Sequence, residues 1–138
     1  MNANRKDARN AFANYIGSNL TGLGLIQKWY PYLVSDFGAQ SPVVVVGSNG
    51  SVRQAFPPGR ASFQLNVYVF VLYSSEDGSW TEEMAEDRLD DIEHALSELL
   101  PVGNALGQLD NNATKLDTIQ IGRQAYRREI IPVLVEAY

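Results

Sequence analysis

The sequence predicts one α+β domain over residues 1–138, a mixed, mostly antiparallel sheet packed by two main helices in the order α-β-β-α-β-β. Three observations predict it. Two segments repeat their apolar residues at three- and four-residue steps, the spacing of one helix face. Other segments alternate apolar and polar residues or run as valine stretches, as strands do. Glycine- and proline-rich turns separate the two kinds. A chain of 138 residues builds one hydrophobic core rather than two.

The first helix is predicted over residues 4–20, where Ala8, Ala11, Phe12, Tyr15 and Ile16 share a face and Gly17, Gly22 and Gly24 mark its end. Residues 25–37 carry Trp29, Tyr30, Tyr32 and Phe37 around Pro31 and read as a short strand or an irregular connection. The valine run at 42–46, entered through Pro42 and left through Gly47, predicts a short buried strand. Residues 47–61, with Gly47-Ser48-Asn49-Gly50 and Pro57-Pro58-Gly59, predict a long loop or an extended hairpin arm. The clearest strand spans 62–73. Glu76-Asp77-Gly78 then turns into the clearest helix, about 80–100, opened by a Ser79/Glu82 capping box. Its apolar stripe is Ala85, Leu89, Ile92, Leu96 and Leu99, and Pro101 and Gly103 stop it. A polar connection leads to Leu116, followed by closing strands at 118–121 and 126–138.

The strand faces carry the main functional signal. In 62–73 one face is Phe63, Leu65, Val67, Val69 and Val71; the other begins with Gln64 and Asn66 but turns to Tyr68, Phe70 and Leu72. The last strand repeats this, with Ile131, Val133, Val135 and Ala137 on one face and Ile130 and Leu134 on the other. A sheet with one wetted face alternates cleanly. Two helices cover one face, so the second needs loops of this chain or another subunit. Each such side chain left in water forgoes about 1.5–3 kcal/mol of transfer free energy. The expectation favours a subunit contact.

Composition excludes several classes. The net charge of −5 disfavours sequence-reading nucleic-acid binding. The absence of cysteine removes disulfides, thiolate nucleophiles and cysteine metal sites. The first residues carry no apolar stretch behind Arg5 and Lys6, so no export signal is read, and no run is long enough for a membrane span.

An enzyme reading finds little support. The single histidine, His94, lies beside the apolar stripe of the second helix without convergent partners. Glu82, Glu83, Glu86, Asp87, Asp90, Asp91, Glu93 and Glu98 read as a solvated face, the first of them favoured by the helix dipole. The glycine pairs match no phosphate-binding pattern. Arg53, Arg60, Arg123, Arg127 and Arg128 are the main positive positions near the arm and the end of the chain. A small-molecule-binding regulatory domain would need a pocket with convergent polar groups, and an acid–base enzyme ranks below it.

The whole layout resembles the tail terminator family of long-tailed, siphovirus-type bacteriophages. The resemblance rests on the helix at 7–17, the aromatic Lys28-Trp29-Tyr30-Pro31, the Pro-Val-Val-Val-Val strand, the turn-rich arm, the Val/Tyr/Phe strand, the acidic helix at 82–100 and the closing strands. It covers nearly the whole chain as an order of elements rather than a motif. It implies a hexameric ring of copies of this chain, at the head-proximal end of the tail in a virion assembled in the host cytoplasm. The partners implied are the tail tube protein, the head–tail connector or neck protein, and DNA passing through the lumen without being read. It implies no cofactor and no catalytic residue. Neck and head–tail completion proteins share the layout and are the alternative. The expected assembly residues are Arg53, Phe56 and Arg60 in the arm, and Tyr68, Phe70, Leu72, Ile130 and Leu134 on the second sheet face.

Overall fold

The computed structural model of the chain describes residues 4–38, 40–53, 61–72, 82–102, 108–109 and 114–137. Among them are two helices, α1 (Arg5–Gly22) and α2 (Glu82–Val102), and six strands. The strands are β1 (Lys28–Tyr30), β2 (Val43–Arg53), β3 (Ala61–Leu72), β4 (Gln108–Leu109), β5 (Lys115–Ile121) and β6 (Gln124–Ala137). They form one sheet in the order β1-β2-β3-β6-β4, with β5 also on β6. Only β1 and β2 run parallel; the other pairings are antiparallel. The α+β class and the alternation of helix and strands are as the sequence predicts.

α1 opens where Asn4 accepts a hydrogen bond from the Asp7 backbone N–H at 3.2 Å, which satisfies one orphan donor of the first turn. It closes in a Schellman motif. The Leu25 N–H donates to Leu20 O and the Gly24 N–H to Thr21 O, both at 3.0 Å. Gly24 has φ +74°, a conformation that a side chain resists. The buried face is Phe12, Ala13, Ile16, Gly17 and Leu20. Ala11, expected inside, is exposed. The helix also runs through Gly17, because that glycine admits Trp29: a Cβ there would stand 2.4 Å from the indole.

α2 buries Ala85, Leu89, Ile92 and Leu96 of the predicted stripe, while Leu99 is half-buried and Ala95, outside the stripe, is buried as well. Ser79 of the expected capping box lies outside the described residues. The Tyr15 hydroxyl donates to Leu99 O at 2.6 Å and ties the two helices together. Both pack on the odd face of β3, where Phe63, Leu65, Val67, Val69 and Val71 are fully buried. Val44 and Val46 of β2 and Ile131, Val133 and Val135 of β6 complete this main core.

The region 47–61 is a hairpin arm, not a loop, for as far as it is described. β2 continues from the valine run to Arg53, which pairs with Ala61. Between Ser48 and Gly50 the register shifts by one residue, a bulge that absorbs Asn49. The segment 25–37 combines both expected alternatives, β1 followed by irregular chain. β4 arises inside the stretch expected to be a polar connection.

Candidate assembly surface on the second sheet face

The face turned away from the helices is built from alternate residues of five strands. Register aligns Tyr30, Val45, Tyr68, Ile130 and Lys115 across it, and Val43, Phe70, Arg128 and Asp117 one step along. Half of this face is not bare. The irregular chain after β1 folds back over it and lowers Phe37 onto Val43, Val45, Phe70 and Tyr126, a second and smaller core. The Phe37 ring lies 4.8 Å from Phe70 and 5.4 Å from Tyr126, in tilted and edge-on geometry. These are favourable arrangements for aromatic quadrupoles. The Tyr126 hydroxyl donates to Gln40 O at 3.0 Å and pins the returning chain. Burial, aided by the nearby Asp36 carboxylate, raises the Tyr126 pKa.

For Phe70 this realises the alternative of a cover by the chain itself and corrects the favoured expectation of a subunit contact there. Phe70 is only 4% exposed, sealed by its own chain. Leu72 is half-buried against the same cluster, and its backbone N–H donates to Ser41 Oγ at 2.8 Å. Of the aromatic residues between 30 and 37, Phe37 and Tyr30 serve this cover. Sequence spacing cannot say over which part of the sheet an irregular segment will close.

The other half of the face is open. Tyr68 is half-buried, its ring 6.4 Å from Phe70 and lying over Gly47, where a Cβ would approach it to 3.1 Å. The Arg128 guanidinium sits 5.9 Å from the Tyr68 ring centroid. It also makes a bidentate pair with Asp117 at 2.9 and 2.5 Å. That hydrogen-bonded pairing lowers the Asp117 pKa against a smaller desolvation effect. Ile130 pairs with Tyr68, and Leu134 pairs with Gln64 at the far end; both are half-buried. At the near edge Leu33 lies over Gly47 with 66% of its surface exposed, beside Tyr32 at 53%. Leu33, Tyr68, Ile130, Pro132 and Leu134 thus form a half-open apolar strip. Leu33 and Tyr32 were not among the expected contacts, since no periodicity marks an irregular segment.

Of the arm residues, Arg53 ends β2 opposite Ala61, while Phe56 and Arg60 lie outside the described residues. His94 is exposed, 3.1 Å from Glu98 one helical turn on. Among the described residues no cluster of three or more His, Asp or Glu is placed to hold a metal ion, and no helix is long and apolar enough to cross a membrane.

One residue escaped the sequence reading. Glu129 is a carboxylate only 3% exposed, on the helix-facing side of β6 in line with Ile131 and Val133. Burial, opposed by a hydrogen bond with Thr114 and reinforced by Glu93 and Asp90, raises its pKa to about 7. The period-two pattern contained the signal, because Glu129 falls on the same face as the core residues that follow it.

Compared with known proteins, the chain matches no family model and no curated sequence.

Proposed function

We propose that this chain is a non-catalytic structural subunit that assembles into a hexameric ring on the tail of a long-tailed bacteriophage. There it caps the tail tube, stops its growth and joins it to the head connector. The observation that carries the reading is the strip Leu33–Tyr68–Ile130–Pro132–Leu134, apolar surface continuing past the edge of the cover that the chain lays over its own sheet. The long β2–β3 hairpin flanks the strip and offers a neighbouring copy a lever to grip. The acidic charge of −5 suits a lumen through which DNA slides without adhering. The order of elements along the chain is the ground for choosing a tail terminator over other ring proteins.

The test is the mass of the purified chain by light scattering and native mass spectrometry, with and without the tail tube subunit. A ring is expected for the parent chain, and monomers for the Leu33→Ser/Ile130→Ser double variant, whose side chains lie outside both sealed cores. A parent chain that stays monomeric at high concentration and ignores the tube subunit overturns the reading.

A further inference from the structure

Beneath α2 the last strand carries a carboxyl group into the core. Glu129 of β6 is almost fully buried, on the face where Ile131 and Val133 belong to the main core. Its side chain shares hydrogen bonds with Thr114 and with Glu93 of α2. We infer that Glu129 and Glu93 hold one proton between them and act as a pH-sensitive latch. It docks α2 onto β6 while the proton is shared and releases the helix when the proton is lost. The inference goes beyond the ring reading and does not depend on it, because the latch lies on the helix side of the sheet and the apolar strip on the other.

The donor count requires the proton. An ionised carboxylate only accepts hydrogen bonds, so two of them bond to each other only if one keeps its proton. With that proton in place an O–H···O bond crosses from strand to helix, of the charge-assisted kind that is roughly twice as strong as a neutral one. Two carboxyls in contact resist double ionisation, so the pair gives up one proton readily and holds the other. Burial adds to the retention, because it penalises the charged form of Glu129. Burial, opposed by the Thr114 hydrogen bond and reinforced by Glu93 and Asp90, brings the loss of the held proton to about pH 7.

The surroundings do little for the charge once it forms. In the pairing register Glu129 lies between Val69 of β3 and Leu116 of β5, both apolar. α2 faces it with Glu93 and Asp90, and Glu86 lines the adjoining cleft. β6 carries a cation on that face two residues back, Arg127, whose Nη1 donates to Thr118 Oγ1 at 3.1 Å. The cleft, open and about 150 Å³, lies between α2 and the β5–β6 pair; Leu89 and Leu116 wall it and Glu129 is in its lining. When the proton passes to bulk water, the O–H···O bond is lost and like charges meet across the helix–strand contact. Hydrating them through the cleft moves the middle of α2 away from β6.

The experiment titrates the full chain from about pH 5 to about pH 9 by NMR, following the carboxyl carbons of Glu129 and Glu93 and the methyl groups of Leu89 and Leu116. Both carboxyls are expected to respond to the same step near pH 7, and the two leucines to move with it. The methyls of Val44 and Val46, in the same core on β2, should stay fixed, which separates release of α2 from unfolding. Glu129→Gln, an isosteric change, gives Glu93 an amide donor at every pH, so the leucine resonances should stay at their acid positions throughout. Glu93→Gln, at a half-buried position, removes the like charge and should lower the Glu129 midpoint by about one pH unit or more. A Glu129 midpoint at the ordinary carboxylate value of about 4.5 overturns the proposal. So does a midpoint unchanged by Glu93→Gln, a pair of leucines that ignore the step, or valines that move with them.

Discussion

Gly17 sits in the middle of α1, where glycine costs up to about 1 kcal/mol relative to alanine in an open helix. Here the sign reverses. An added methyl would stand inside contact distance of the Trp29 ring, so Gly17→Ala should destabilise by about 1–3 kcal/mol, as overpacking does. Urea unfolding measures it. Glu129 presents a different constraint at the same scale. In the unfolded chain it titrates near 4.5, but in the folded chain burial raises this to about 7. Between those values the folded state holds a proton that the unfolded state has lost. Stability should therefore fall as pH rises from about 4.5 to about 7, with the loss complete above 7. The ceiling is on the order of 3 kcal/mol. Glu129→Gln should remove this slope, leaving the variant more stable than the parent at pH 8 and little different at pH 4.5. Parallel denaturation curves at the two pH values check it.

At the scale of elements, the returning chain after β1 is the least regular part of the fold and covers the second core. Its anchors are the Phe37 ring and the bond from the Tyr126 hydroxyl to Gln40 O. Phe37→Ala should cost about 3–5 kcal/mol, the usual range for emptying an aromatic site, and should open Phe70 and Tyr126 to a hydrophobic dye. Tyr126→Phe keeps the ring and loses one hydrogen bond, so about 1 kcal/mol is expected. Leu33→Ser, on the same segment but outside the core, should change stability by less than about 0.5 kcal/mol. Together the three separate cover from surface: a cost spread evenly over them would contradict a sealed second core. The bulge at Asn49 shows the limit of pattern reading for elements. Glycines there suggest a loop, yet the strand tolerates them because the Tyr68 ring fills the space above Gly47.

For the whole molecule, one sheet divides two cores of unequal size. β3 is bonded on both sides, by β2 and β6, along nearly its whole length, and its odd face lies under both helices. β1, β4 and β5 stand at the margins. Amides of β3 between Leu65 and Val71 should thus exchange with solvent most slowly, and those of residues 31–40 among the fastest. Hydrogen exchange read by mass spectrometry checks the order. Protection of 31–40 equal to that of β3 would mean that the two cores open as one unit. A change confined to Tyr68, Ile130 and Leu33 on concentrating the chain would locate the proposed contact between copies.

The α+β class, both helices and the strands around 43–46, 62–73 and 126–138 were legible in the residues, because helix and strand periods are local and the apolar stripes here are regular. The burial of α2 and of the odd face of β3 followed from the same patterns. Only the tertiary structure decided that Phe37 seals Phe70, that Gly17 belongs inside a helix, and that Glu129 faces the acidic side of α2. Each depends on which distant segment arrives at a given spot. Spacing along a chain assigns a residue to a face, but what meets that face is determined by long-range packing, where a single ring or carboxylate from elsewhere converts surface into core.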